Sequence, residues 1–170
     1  LAGAVFGFGS FERFVQSLDA TQNLVSAQLI ATPAYASLYA SLLQLGAPHA
    51  LAISLHVASA LAALLAAGRV FRRGERVEAG AALCATTMLI SPYMFFYDFT
   101  LLALGAALLG VPRTQLELAA AIAAWSAGLT LALSYIAPLP YAPTAAWLVL
   151  LATSARIRSA APRPAPVPQR

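Results

Sequence analysis

The side chains best equipped for chemistry gather in one short stretch, Ser91-Pro92-Tyr93-Met94-Phe95-Phe96-Tyr97-Asp98. Asp98 is the single acidic residue between Glu78 and Glu117, and it borders two apolar runs. A carboxylate in such surroundings is costly unless it meets water, a polar cavity or free donors. Two roles suit it. It can cap the helix that begins at Phe99, bonding to that helix's free amides. It can instead orient a sugar hydroxyl or a metal-bound phosphate, with Tyr93 and Tyr97 stacking on a pyranose ring.

His56 is the other candidate, a polar ring within an uncharged run. It is expected either to bond to a neighbouring helix or to contact a ligand phosphate. His49 precedes it by seven positions and so shares its helix face. No Asp or Glu stands at metal-ligand spacing from either ring, so neither a metal site nor a cofactor is expected. Cys84, the lone cysteine, lies in an uncharged run and reads as a small core residue.

The elements that carry these residues are dictated by composition. Of 170 residues, 61% are hydrophobic and 9% charged, and the mean hydropathy is +0.77. Soluble domains carry about a quarter of their residues as charges, so long runs of this chain must be solvated by lipid or by one another. The expected fold is all-α, a polytopic membrane helix bundle. Its spans are expected at about 1–9, 47–67, 79–91, 99–112, 118–137 and 140–155, with an outer segment at 10–46 and a Pro-rich, unpacked tail at 160–170. In the outer segment, amphipathic stretches are expected over Phe11–Asp19 and over Ala34–Leu45, the latter with Tyr35, Leu38, Tyr39 and Leu42 on one face. Small residues at four-residue spacing, Ala58, Ala62 and Ala66 in one row and Ala120, Ala124 and Gly128 in another, suit close helix contacts.

Every basic residue is an arginine, and the arginines flank the apolar runs instead of lining one folded face. That pattern fits membrane topology and argues against nucleic acid as a partner. With the Arg69–Arg76 loop on the cytoplasmic side, alternating crossings put Arg113 and the C-terminal tail there too. The turns at Pro92–Asp98 and Pro138–Pro143, which hold no basic residue, then face outward. The abundance of arginine and alanine suggests a bacterial chain, and hence the bacterial plasma (inner) membrane.

The run from Met88 through Ser91-Pro92-Tyr93 and Tyr97-Asp98 to Leu101-Leu102 resembles the signature of glycosyltransferase family 87. These are the domain-of-unknown-function-2029 type relatives of polyprenol-phosphate-mannose α-1,2-mannosyltransferases. The order upstream is similar too: a Phe-Glu-Arg-Phe-Val-Gln-Ser-Leu stretch, Pro33-Ala-Tyr-Ala-Ser-Leu, then Leu45-Gly-Ala-Pro48 opening a span. The likeness covers roughly 11–109. It implies a GT-C type fold and hexosyl transfer, with inversion, from a polyprenyl-phosphate-linked sugar donor at the outer face of the bilayer. It also implies a catalytic base on the first outer loop, near the N-terminus of such enzymes. Asp19 lies on a later loop and matches no such motif. The chain is therefore expected to be a C-terminal fragment, inactive alone, whose own substrate-binding candidates are Tyr93, Tyr97, Asp98 and His56. A transporter or flippase-like carrier of a lipid-linked substrate is the alternative. Only one Pro-broken run is visible, whereas transporters repeat such breaks. A purely structural membrane subunit is a third possibility.

Overall fold

The computed structural model describes residues 7, 9, 13, 35–127 and 140–160. Six α-helices and one 3-10 turn carry them: α1 (Leu38–Gln44), α2 (His49–Arg73), α3 (Arg76–Ile90), the 3-10 turn Phe96–Asp98, α4 (Phe99–Leu109), α5 (Gln115–Ser126) and α6 (Tyr141–Ala160). The fold is all-α, and among the described residues there is no named strand. The span expected at 1–9, the Phe11–Asp19 helix, the distal part of 118–137 and the tail lie outside the described residues.

The helices begin and end for local reasons, and several run past their apolar stretches. Apolar runs measure hydropathy, whereas helix ends answer to caps and backbone geometry. Thus α3 starts at Arg76, three residues before its apolar run, and α2 extends through Arg73. The Oγ1 of Thr114 accepts from the Glu117 amide and starts α5 three residues early. α4 stops at Leu109, short of the expected 112, because Gly110 turns to φ 68°, which glycine adopts without a steric penalty.

The amphipathic stretch expected over Ala34–Leu45 is corrected: the helix occupies only Leu38–Gln44. Ser37 ends the extended segment before it by accepting from the Ala40 amide. Tyr35 is consequently not on the helix, and pairs in an isolated antiparallel bridge with Phe95.

Successive helices α2 to α5 pack against one another, and α6 lies against all four. More than half of the main core cluster is alanine, from Ala63 and Ala67 on α2 to Ala142, Ala145 and Ala146 on α6. Gly105 lets α4 come close to its neighbours. A Cβ there would sit 3.1 Å from the Cys84 Cβ and 3.5 Å from Val149 Cγ1. Cys84 is buried, as expected of a small core residue. The row Ala120 and Ala124 is buried as expected, but Ala58 and Ala62 are exposed. The buried face of α2 runs instead through Ala52, His56, Ala63, Ala67 and Val70.

Many large apolar side chains point outward, although Met88, Phe99, Leu102 and Leu150 are buried. Leu65 is 64% exposed, Ile122 60% and Trp125 68%. Among the described residues α2 alone is long and apolar enough to cross a membrane, and 22% of its apolar window is buried. At about 1.5 Å per residue, α3 spans roughly 22 Å and α4 roughly 16 Å, below the ~30 Å of a hydrocarbon core. α6 has the length, but Thr144, Thr153, Ser154, Arg156 and Arg158 dilute its hydropathy.

The two ends of the bundle differ. At one, the α2–α3 turn, the α4–α5 loop and the end of α6 converge with their arginines. Arg156 is the knot of this end. Its Nε and Nη2 donate to the two carboxylate oxygens of Glu117 at 3.0 and 2.9 Å, and its Nη1 donates to the Leu109 carbonyl at 2.6 Å. The Arg113 amide donates to Glu117 at 2.6 Å. Glu117 is 5% exposed, and both partners lie just outside the apolar runs expected to cross lipid. Hydrogen bonds from Arg156 hold the Glu117 carboxyl below its ordinary value, assisted by the Arg113 amide and by both positive charges, against the opposing effect of burial.

Two predictions follow from this packing. Gly105→Leu should destabilise the fold by about 1–3 kcal/mol through overpacking, whereas Gly68→Ala, where a Cβ meets nothing within 4 Å, should stabilise α2 by about 0.5–1 kcal/mol. Thermal unfolding of the two variants beside the parent reads this difference in sign. Arg156→Ala should cost about 3–5 kcal/mol, because it strands a buried carboxylate. Since folding lowers the Glu117 pKa, the pair's contribution is full above the unfolded value and fades as pH falls through the folded one. Melting curves across acid pH should therefore converge for parent and Glu117→Gln.

Candidate functional site

The end opposite the arginines is built on the turn that joins α3 to α4. Proline at position 92 cannot donate to a helix and restrains Ser91 to extended geometry, and α3 duly ends at Ile90 with Ser91 at ψ 118°. Met94 and Phe99 then drop into the core, at 3% and 7% exposure. This leaves Tyr93, Phe96 and Tyr97 facing out.

The turn is recessed. His56 Nε2 lies 3.3 Å from the Ile90 carbonyl, and His56 is seven residues into α2. The end of α3 therefore meets α2 roughly 10 Å below its start. The Trp147 indole donates to Ser59 Oγ at 2.9 Å, so α6 joins α2 at a similar depth. The first two turns of α2 stand above this level, and the segment 35–44 folds over it.

That segment is pinned to the turn by direct bonds. The Ala36 amide donates to the Met94 carbonyl at 2.9 Å, and Ser37 Oγ donates to the Pro92 carbonyl at 2.6 Å. The Tyr35 and Phe95 rings meet at 4.4 Å. Phe95 in turn stacks on Tyr97, with centroids 5.3 Å apart and planes 11° from parallel. The result is a row of aromatic faces whose free edge is Tyr97, 59% exposed.

Asp98 closes the turn. Its Oδ2 accepts from the Phe95 amide at 2.9 Å, while its own amide donates to the Phe95 carbonyl at 3.0 Å. The capping role anticipated for it is thus corrected in direction. The carboxylate satisfies an amide three residues back and makes no side-chain bond to the amides of α4, because the intervening 3-10 turn brings Phe95 within reach. Asp98 remains half-buried, and its second carboxylate oxygen makes no hydrogen bond among the described residues.

His56 is placed differently from the tyrosines. It is 3% exposed and bonded to the neighbouring helix, one of the two roles anticipated. The carbonyl of Ile90 can only accept, so Nε2 carries the proton and Nδ1 is left as an acceptor. That Nδ1 is buried and has no partner among the described residues. The Tyr39 ring lies near both histidines, its centroid 6.4 Å from that of His56 and 5.6 Å from that of the exposed His49. The shared face of the two histidines is therefore realised, with a tyrosine between them. Burial pushes the Tyr39 phenol above its ordinary 10, and the nearby Tyr93 acts in the same direction.

The structure brings Tyr93, Tyr97 and Asp98 together on one turn, while His56 lies at the same end but beside Tyr39. Tyr35, Ser37 and Phe95 are the contributors that sequence reading did not single out as site residues. Ser37 precedes a helical stretch in the manner of a cap, and that was the available signal. Among the described residues no group of His, Cys, Asp and Glu is arranged to hold a metal ion. Comparison with protein-family models, with curated proteins and with solved structures gave no match.

Removing the Asp98 carboxylate should loosen this turn without unfolding the bundle. In Asp98→Ala the Phe95 amide should exchange with deuterium roughly fivefold faster, as for loss of a bond worth about 1 kcal/mol. Amides in the middle of α6 should be unchanged. Peptide-level hydrogen exchange measures both.

Proposed function

We propose that the chain forms part of a multi-pass membrane glycosyltransferase acting on a polyprenyl-phosphate-linked sugar. The inside-out distribution of side-chain size carries the membrane half of this reading. Lipid tails are as apolar as leucine, so helices in a bilayer associate through small residues that let backbones approach, and large apolar side chains turn outward. This chain has an alanine core and a leucine-, isoleucine- and tryptophan-bearing exterior. A helix whose apolar window is 22% buried needs a solvent that water cannot be. The shorter helices would lie between α2 and its neighbours, where backbone ends are satisfied by protein contacts.

The catalytic half of the reading is supported by the aromatic end and by the resemblance of its residues to family 87. A lipid-anchored donor presents its sugar at the interface, where tyrosine-rich surfaces partition. Tyr97 and Tyr93 offer apolar faces to a pyranose ring, and the free oxygen of Asp98 can accept from a sugar hydroxyl. His56 would serve from beneath by accepting at Nδ1. A partner for these groups must supply the general base, because Asp98 is engaged with a backbone amide. The bilayer is the bacterial plasma membrane in this reading, with the arginine end cytoplasmic and the aromatic end outside.

The test is sugar transfer from a polyprenyl-phosphate-mannose donor by membranes containing the parent polypeptide, alongside Asp98→Asn and Tyr97→Ala. Each variant is expected to lose about tenfold or more in kcat/KM, equivalent to about 1.4 kcal/mol of transition-state stabilisation. Full activity in both, in a parent that transfers sugar, would remove the aromatic end from the mechanism. A thiol engineered at Ser91 should react with a membrane-impermeant reagent from outside intact cells.

A further inference from the structure

At the end of the bundle away from the aromatic turn, Arg69, Arg72, Arg73, Arg76, Arg113 and Arg158 are all exposed. Three separate chain segments, the α2–α3 turn, the α4–α5 loop and the end of α6, deliver them to this end. The contacts of Arg156 with Leu109 and Glu117 hold the end of α6 against the α4–α5 loop. Ile157 reaches Gly74 so closely that a Cβ there would meet its Cδ1 at 2.9 Å, which joins the α2–α3 turn to the same patch. Glu75 and Glu78 on the α2–α3 turn offset only part of this charge, since the exposed arginines outnumber them. Glu117 is paired with the partly buried Arg156, the only ion pair among the described residues. Arg69 and Arg72 only fold back onto carbonyls of their own helix, Leu65 and Gly68, which leaves donors of each guanidinium unused.

The neighbours of these arginines are large exposed apolar side chains: Phe71 at 51% exposure, Val77 at 44%, Val111 at 83% and Leu118 at 43%. A nucleic-acid groove would interleave positive charge with polar groups and stacking rings. Guanidinium beside bare aliphatic surface instead matches a molecule that is anionic at one end and apolar at the other. Between Arg113 and Leu118 an open groove of about 430 Å³, lined also by Pro112, Thr114 and Gln115, offers a seat for the anionic end.

We propose that this surface binds the phosphodiester headgroups of anionic phospholipids, with Arg113 at the groove holding the headgroup, Arg158 adding positive charge at the same end, and Val111 and Leu118 meeting its acyl chains. The inference rests on the membrane reading given above and is independent of the enzymatic one. Each arginine near a charged bilayer surface adds to binding, and guanidinium pairs bidentately with phosphate oxygens.

The experiment uses the full chain in mild detergent, with dioleoyl-phosphatidylglycerol or dioleoyl-phosphatidylcholine as probe and native mass spectrometry as readout. Phosphatidylglycerol should be retained about tenfold more than phosphatidylcholine. The double variant Arg113→Gln/Arg158→Gln should lose most of that tenfold preference and retain the two lipids nearly equally, with phosphatidylcholine unchanged. Arg113→Lys/Arg158→Lys keeps the charge and should retain most of it, which separates lost binding from lost folding. Equal retention of the two lipids by the parent, or full retention by the glutamine variant, overturns the proposal. So does displacement of the lipid by millimolar inorganic phosphate, which would mark a free-anion site. A chain that stays monodisperse in buffer without detergent would overturn the membrane reading beneath it, whereas equal lipid retention sinks the headgroup proposal alone.

Discussion

Alanine at the helix contacts is the constraint from which the rest of the architecture follows. A core of small side chains buries little area per residue, so it holds only if backbones come close over a long seam. Gly105 against Cys84 and Val149, and Gly80 against Leu108, mark close points of that seam. With so little volume inside, a few large side chains such as Leu102 and Leu150 fill the core, while many other large apolar side chains of the described residues, Leu65, Ile122 and Trp125 among them, are exposed.

Close helix packing also explains why the two ends behave differently. Where α6 meets the α4–α5 loop, a bidentate arginine–glutamate pair replaces the missing apolar contacts. It satisfies the Leu109 carbonyl and the Arg113 amide as well. A buried ion pair holds only when its remaining donors and acceptors are matched, and here the backbone supplies the matches. At the other end no charge pair is available. The extended segment 35–37 takes that role by bonding to the carbonyls of Pro92 and Met94, and aromatic rings fill the volume above. The recess that carries the candidate site is a consequence: α3 and α4 are shorter than α2, and α1 folds over the step.

The helices themselves were readable from the chain. Apolar runs, arginines at their ends and Pro92 as a stop locate α2 to α6, with ends displaced by up to six residues where caps or Gly110 decide them. Tyr93, Tyr97 and Asp98 stand so near one another beyond Pro92 that their sharing one turn was legible in the chain. Helix faces were less readable. Rows at four-residue spacing put Ala58 and Ala62 in a contact, yet α2 turns those positions outward and buries Ala52, His56 and Ala63 instead. In a chain so rich in alanine every face offers such a row, so spacing cannot choose among them.

What the sequence determined by itself was chemical class and order: a mainly helical chain, rich in apolar residues and poor in charge, with a proline-broken turn bearing tyrosines and a lone carboxylate between its basic loops. These depend on composition and on near neighbours, both of which are local. Which atoms Asp98 and His56 would bond to, that Ser37 reaches across fifty-five positions to Pro92, and that Glu117 meets Arg156 were decided only by tertiary structure. Each depends on the relative depth and rotation of packed helices, and these are set by small side chains whose contacts no local pattern distinguishes.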